Sequence, residues 1–193
     1  MPHNAVKPRQ LRAQHNRRKI LDAALEMIAE EGIAAVSLRK VAARSHFSPA
    51  ALYEYFDNKD ALINTLCQEV DTLLANYLKQ AIPNSDAVTH LVEIGLRYIA
   101  FATENPREYQ LMQLRNPAAP TEQADIQEGA FGILLVAVKR LGDDTTPLDA
   151  QAFAYACWSF VHGLASLENQ LKSAFTLDFA ATQRAALERF ISN

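Results

Sequence analysis

Apolar residues recur every three or four positions along most of the chain, and no segment sustains period-two alternation. Ile20, Leu21, Ala24, Leu25 and Ile28 trace one face of a first helix, expected over about Gln14–Glu31. Gly32 ends it, as glycine often does just past a helix terminus. Ser37 is placed to cap a second helix that runs to about Arg44, and Ser45-His46-Phe47 makes the turn. Ser48-Pro49 opens a short third helix reaching Phe56. The serine hydroxyl can accept from an orphan helical amide, and proline at the first position has a preset φ and no amide to leave unpaired. Asp57 or Asn58 then caps a long fourth helix, in which Leu62, Leu66, Val70, Leu73, Leu74 and Tyr77 hold the helical period until Pro83.

Beyond Pro83 the apolar runs lengthen. Helices are expected at about Asp86–Glu104, Pro106–Leu114, Thr121–Leu141, Pro147–Lys172 and Leu177–Ile191, with loops at Asn116–Pro120 and Gly142–Pro147. The fold class that follows is all-α, with about nine helices. A three-helix N-terminal helix-turn-helix is joined by a long helix to a C-terminal helical domain. The expected divisions are a flexible basic arm over residues 1–13, the three-helix unit over 14–60, and the larger helical domain over 61–193.

Composition sharpens this outline. The chain has 193 residues, 49% of them hydrophobic and 21% charged, so it can bury a core and is not a disordered polymer. Cys67 and Cys157 both fall within apolar helical runs, where a thiol behaves as a small hydrophobe; a reducing compartment is the simpler expectation. Neither a signal peptide nor a membrane-spanning run is visible, so a cytoplasmic location is expected. The five histidines lack metal-ligand spacing, and no nucleophile elbow, phosphate loop or His-Glu-x-x-His occurs. No metal, cofactor or catalytic residue is expected. The net charge of −3 alone argues against a DNA-binder, but its distribution does not. Residues 1–60 carry +3 and residues 61–193 carry −6. Lys7, Arg9, Arg12, Arg17, Arg18 and Lys19 all precede the first acid, Asp22. Such an arm suits phosphate, although a solvated tail has the same composition.

The residues from Ser37 to Lys59 carry the expected chemistry. Ala50 and Ala51 let a helix approach a groove closely and offer only methyl contacts, so selectivity would rest in part on DNA shape. Tyr53, Tyr55 and Lys59 are placed to reach phosphate, with packing of the small core as the other role open to the rings. Arg39 projects where the second helix of such a motif crosses the backbone, or is a surface arginine. Ser37, Ser48 and Pro49 set helix starts whose amides can face phosphate.

The pattern from Ile20-Leu21-Asp22-Ala23-Ala24 through Gly32, Ser37 and Val41-Ala42 to Ser48-Pro49-Ala50-Ala51-Leu52-Tyr53-Glu54-Tyr55-Phe56, Lys59 and Leu62 resembles the tetracycline-repressor (TetR) family of bacterial regulators. His46 stands where that family often has glycine, a position that can require φ > 0. Further on, Trp158-x-x-x-His162-Gly163 resembles the signature of one subgroup of TetR-type ligand domains. The resemblance implies that residues 14–60 are a DNA-binding domain and residues 61–193 an effector-binding and dimerisation domain. It implies a homodimer formed through the last two long helices, a palindromic duplex DNA operator, and a pocket for a small effector among the fourth to eighth helices. Tyr98, Phe101, Tyr109, Met112, Phe131, Trp158 and His162 are the candidate lining residues, each with core packing as its other role. The expected function is a ligand-responsive repressor and not an enzyme. The alternative is a constitutive DNA-binding dimer without an effector.

Overall fold

The computed structural model describes residues 8–81, 86–114, 129–142 and 148–192. All regular structure among them is helical. The helices are α1 (Pro8–Glu31), α2 (Leu38–Ser45), α3 (Pro49–Tyr53), α4 (Lys59–Leu78), α5 (Ala87–Glu104), α6 (Pro106–Leu114), α7 (Ala130–Lys139), α8 (Ala150–Leu171) and α9 (Phe179–Ile191). Short 3₁₀ turns lie at Ile33–Ala35 and Lys172–Ala174. Among the described residues no helix is long and apolar enough to cross a membrane. The expected loop at Asn116–Pro120, most of the loop at Gly142–Pro147, residues 121–128 of the expected Thr121–Leu141 helix, and residues 1–7 of the arm lie outside the described residues.

The described residues form two compact units. One comprises the residues up to Glu69 with 110–114; the other comprises Val70–Tyr109 with those from Gly129 onward. In the first, α1 lies against α2 and the 3₁₀ turn, and α2 against α3. Ile20, Ala24, Ile28, Val41, Leu52 and Leu62 are essentially sealed from solvent there. In the second, α5 packs on α7, α8 and α9. Gly95 permits this: a Cβ there would stand 2.9 Å from a Leu187 methyl on α9 and 3.2 Å from Val161 on α8. α4 contributes to both cores, with Leu62 and Leu66 in the first and Val70, Leu74 and Leu78 in the second.

The caps are local chemistry. Ser37 Oγ accepts from the Lys40 amide at 3.3 Å, Ser48 Oγ from Ala51 at 3.1 Å, and Asn58 Oδ1 from Ala61 at 2.8 Å. Asp86, Asp149 and Asp178 cap α5, α8 and α9 in the same way. Gly32 adopts φ 82° beyond α1, and His46 closes α2 at φ 62° and ψ 33°.

Several helix ends differ from the expected ones. α1 begins at Pro8, not Gln14, so residues 8–13 of the expected flexible arm are helical. These turns have no apolar stripe to betray them, and Arg, Gln, Leu and Ala all favour helix. α3 ends at Tyr53, because the amides of Tyr55 and Phe56 both turn back on the Leu52 carbonyl. α4 ends at Leu78, where the chain tightens into three-residue turns at Gln80 and Ala81.

Candidate nucleic-acid interface and effector cavity

α3 is one and a half turns long and has one buried side, through Leu52. Ser48, Pro49, Ala50 and Tyr53 are exposed, Tyr53 to 60%; Ala51 is half-buried. Glu54 is exposed beside them. Tyr55 turns inward. Its ring meets Phe47 edge-on at 6.4 Å and its hydroxyl accepts from Asn16 Nδ2 at 3.2 Å. Lys59 is half-buried, and its ammonium donates to the Ile33 carbonyl at 2.8 Å, tying the start of α4 to the turn after α1. Arg39 is exposed on α2, and Ser37 is occupied as a cap.

Several other cations of this unit are engaged within it. Arg44 reaches Glu26, Glu30 and Glu31, and Lys40 reaches Glu31. Arg18 pairs with Asp22 and Glu69, which hold its guanidinium firmly charged. Arg17 lies 5.1 Å from the Phe56 ring centroid and donates to Thr65. What faces solvent on α2 and α3 is therefore a small, nearly neutral surface with a tyrosine at its edge and Arg39 as its cation. An exposed face of small residues with one tyrosine suits a groove rather than a pocket.

In the second unit, an apolar cavity of about 20 Å³ opens between α4, α5, α7, α8 and α9. Leu91, Gly95, Tyr98, Trp158, Val161 and Leu187 are among its walls. Behind it lies an aromatic cluster. Tyr98 meets Trp158 edge-on at 5.1 Å, and Phe131 also meets the indole edge-on at 5.8 Å. The Tyr98 hydroxyl lies 2.9 Å from His162 Nδ1, while the Tyr109 hydroxyl donates to the His162 carbonyl at 3.1 Å. Burial pushes the His162 imidazole below its ordinary range and the Tyr98 phenol far above its own.

Of the expected lining residues, Tyr98 and Trp158 face the cavity; Tyr109, Phe131 and His162 support them from behind. Phe101 does not line it: it is fully buried against Tyr77, with ring centroids 5.4 Å apart. Met112 falls in the 110–114 stretch of the first unit. The aliphatic walls Leu91, Val161 and Leu187, with Gly95, were missed. Their sequence signal is that of any helical core, and only the approach of three helices sets them around a space.

Two family models match the chain. One, described as bacterial regulatory proteins of the tetR family, covers residues 20–66; the other, described as a tetracyclin repressor-like C-terminal domain, covers residues 91–192. The HTH-type transcriptional regulator UidR of Escherichia coli K12 is 33% identical over 95 residues, 48% of either chain. The HTH-type transcriptional repressor Rv3405c of Mycobacterium tuberculosis H37Rv is 31% identical over 98 residues, 51% of this chain and 52% of its own. The chain thus spans about half the length of the curated relatives it matches. Among solved structures, the regulatory protein SCO4313 is 26% identical, with a TM-score of 0.74 over 97% of this chain and all of that one. A TetR family transcription regulator from Marinobacter aquaeolei VT8 is 19% identical, with a TM-score of 0.78 over 94% and 98% of the two chains.

Proposed function

Since the chain belongs to the TetR family of transcriptional regulators, with its DNA-binding helix-turn-helix, we propose that it is a homodimeric repressor released from a palindromic operator by a small molecule. The observation that carries the DNA half is the exposed face of α3: a Ser-capped, Pro-started helix with Ala50 outward and Tyr53 at 60% exposure. A large ring left in water on a short helix gains nothing for folding; against a duplex it gains a partner. Ser37, Arg39, Ser48, Pro49, Ala50, Ala51, Tyr53 and Lys59 form the proposed interface. Tyr55 acts chiefly by positioning, through Asn16 and Phe47.

The effector half rests on the cavity and its aromatic cluster. Trp158 and His162 both meet the Tyr98 ring, which supports placing the chain in the Trp-x-x-x-His-Gly subgroup. At about 20 Å³ the cavity admits one water-sized group. An effector of metabolite size therefore needs the surrounding helices to part, and a ligand that binds only the parted arrangement shifts the equilibrium toward it. α4, which carries residues of both cores, is the proposed lever. The same narrowness favours a second reading, a constitutive DNA-binding dimer. Binding of a duplex from upstream of its own gene, followed by release across a metabolite panel, separates the two. A compound that raises the melting temperature and dissociates the complex establishes the first reading; binding that no compound disturbs leaves the second. A cytoplasmic location completes the proposal.

A further inference from the structure

We propose that the exposed first turns of α1 form a second DNA contact, in which Arg9, Arg12 and Lys19 bind backbone phosphates alongside α3; this rests on the DNA-binding reading above. Residues 9–15 are all exposed, and the helix runs beyond the part that packs. Arg9, Arg12, Asn16 and Lys19 follow one another at three- and four-residue spacing, within an arc of roughly 80° at about 100° per residue. Asn16 fixes where that stripe lies, because its amide reaches the Tyr55 hydroxyl just past α3. Arg12 stands roughly 6 Å along the helix axis from Asn16 and Arg9 roughly 10 Å. Arg12 and Arg9 thus extend the stripe outward from that contact, and Lys19 continues it roughly 5 Å the other way.

Charge accounting within the unit points the same way. Arg17, Arg18, Lys40, Arg44 and Lys59 each have an internal partner. Among the described residues Arg9, Arg12 and Lys19 make no ion pair, and no acid precedes Asp22 in the chain. Arg9 and Arg12 also sit at the positive end of the α1 dipole, where a cation opposes the helix. Their charges do nothing for the isolated fold and match a polyanion.

The test is the slope of log K against log salt for a short random-sequence duplex, measured with the full-length protein. Each lost phosphate contact lowers the slope by about 0.9. Arg9→Gln with Arg12→Gln should lower it by about 1.8, and Lys19→Gln by about 0.9, with discrimination between sequences retained. Glutamine keeps helix propensity and removes charges that oppose the dipole, so melting temperature should not fall. Arg18→Gln, on the opposite side of α1 and paired with Asp22 and Glu69, should leave the slope unchanged. A double variant with the parental slope overturns the stripe while leaving α3 in place. A parent that binds no duplex even in dilute buffer overturns the whole DNA reading, the stripe included.

Discussion

Lys59 would, on the proposed DNA-binding reading, serve fold and function together. Its ammonium donates to the Ile33 carbonyl while two donors remain free. Lys59→Ala should cost about 1 kcal/mol of stability, because a partly buried carbonyl loses a charged partner. It should also lower the salt slope of DNA binding by about one. A stability loss with an unchanged slope would restrict Lys59 to positioning. His162 makes a prediction of a different kind. Its folded pKa lies below the ordinary 6.5, so the unfolded chain binds its proton first on acidification. Its contribution is complete above pH ~6.5 and is lost as pH falls through its lower folded value. Melting temperature should drop on acidification in that window, and His162→Gln should flatten the drop. A residual slope is expected from His90, which burial and Arg140 shift in the same direction. Equal slopes in parent and variant would show that His162 does not titrate between the two states.

Among the elements, α2 ends on a residue that does not favour its own conformation. His46 closes the helix in the left-handed region, where a β-carbon costs energy and glycine does not. His46→Gly should therefore raise stability by about 0.5 kcal/mol, the relief being partly offset by the greater freedom of the unfolded chain. A destabilised variant would mean that the imidazole makes an interaction worth more than the strain. The caps and this turn were legible in the sequence because they are decided within three or four residues: Ser37, Ser48 and Asn58 each satisfy an amide three positions on. The start of α1 was not legible, because an exposed helix shows no apolar period. The inward turn of Tyr55 and the Lys59 tie were also hidden, since their partners lie 39 and 26 residues away. The cavity walls looked like core, which chemically they are.

At the scale of the molecule, the second unit leaves much apolar surface in water. Tyr155 and Leu167 on α8 are 69% and 56% exposed, and Phe175 and Leu177 before α9 are 52% and 51%. That surface supports a dimer through the last two helices, where a second copy would bury it. Tyr155→Glu with Leu167→Glu should yield monomers in analytical ultracentrifugation, because a carboxylate cannot be desolvated there without a partner. The monomers should bind operator DNA far more weakly, having lost the second half-site. Dimers that persist would place the contact elsewhere.

The tight closure of α8 and α9 over Gly95 of α5 would set the tempo of any effector response. If nothing larger than water enters until Leu187 and Val161 draw back from that glycine, capture is clocked by the protein's own breathing rather than by how often solute arrives. Raising the effector concentration would then quicken the switch only to a ceiling. A brief pulse of metabolite would pass unanswered, while a sustained one would be registered.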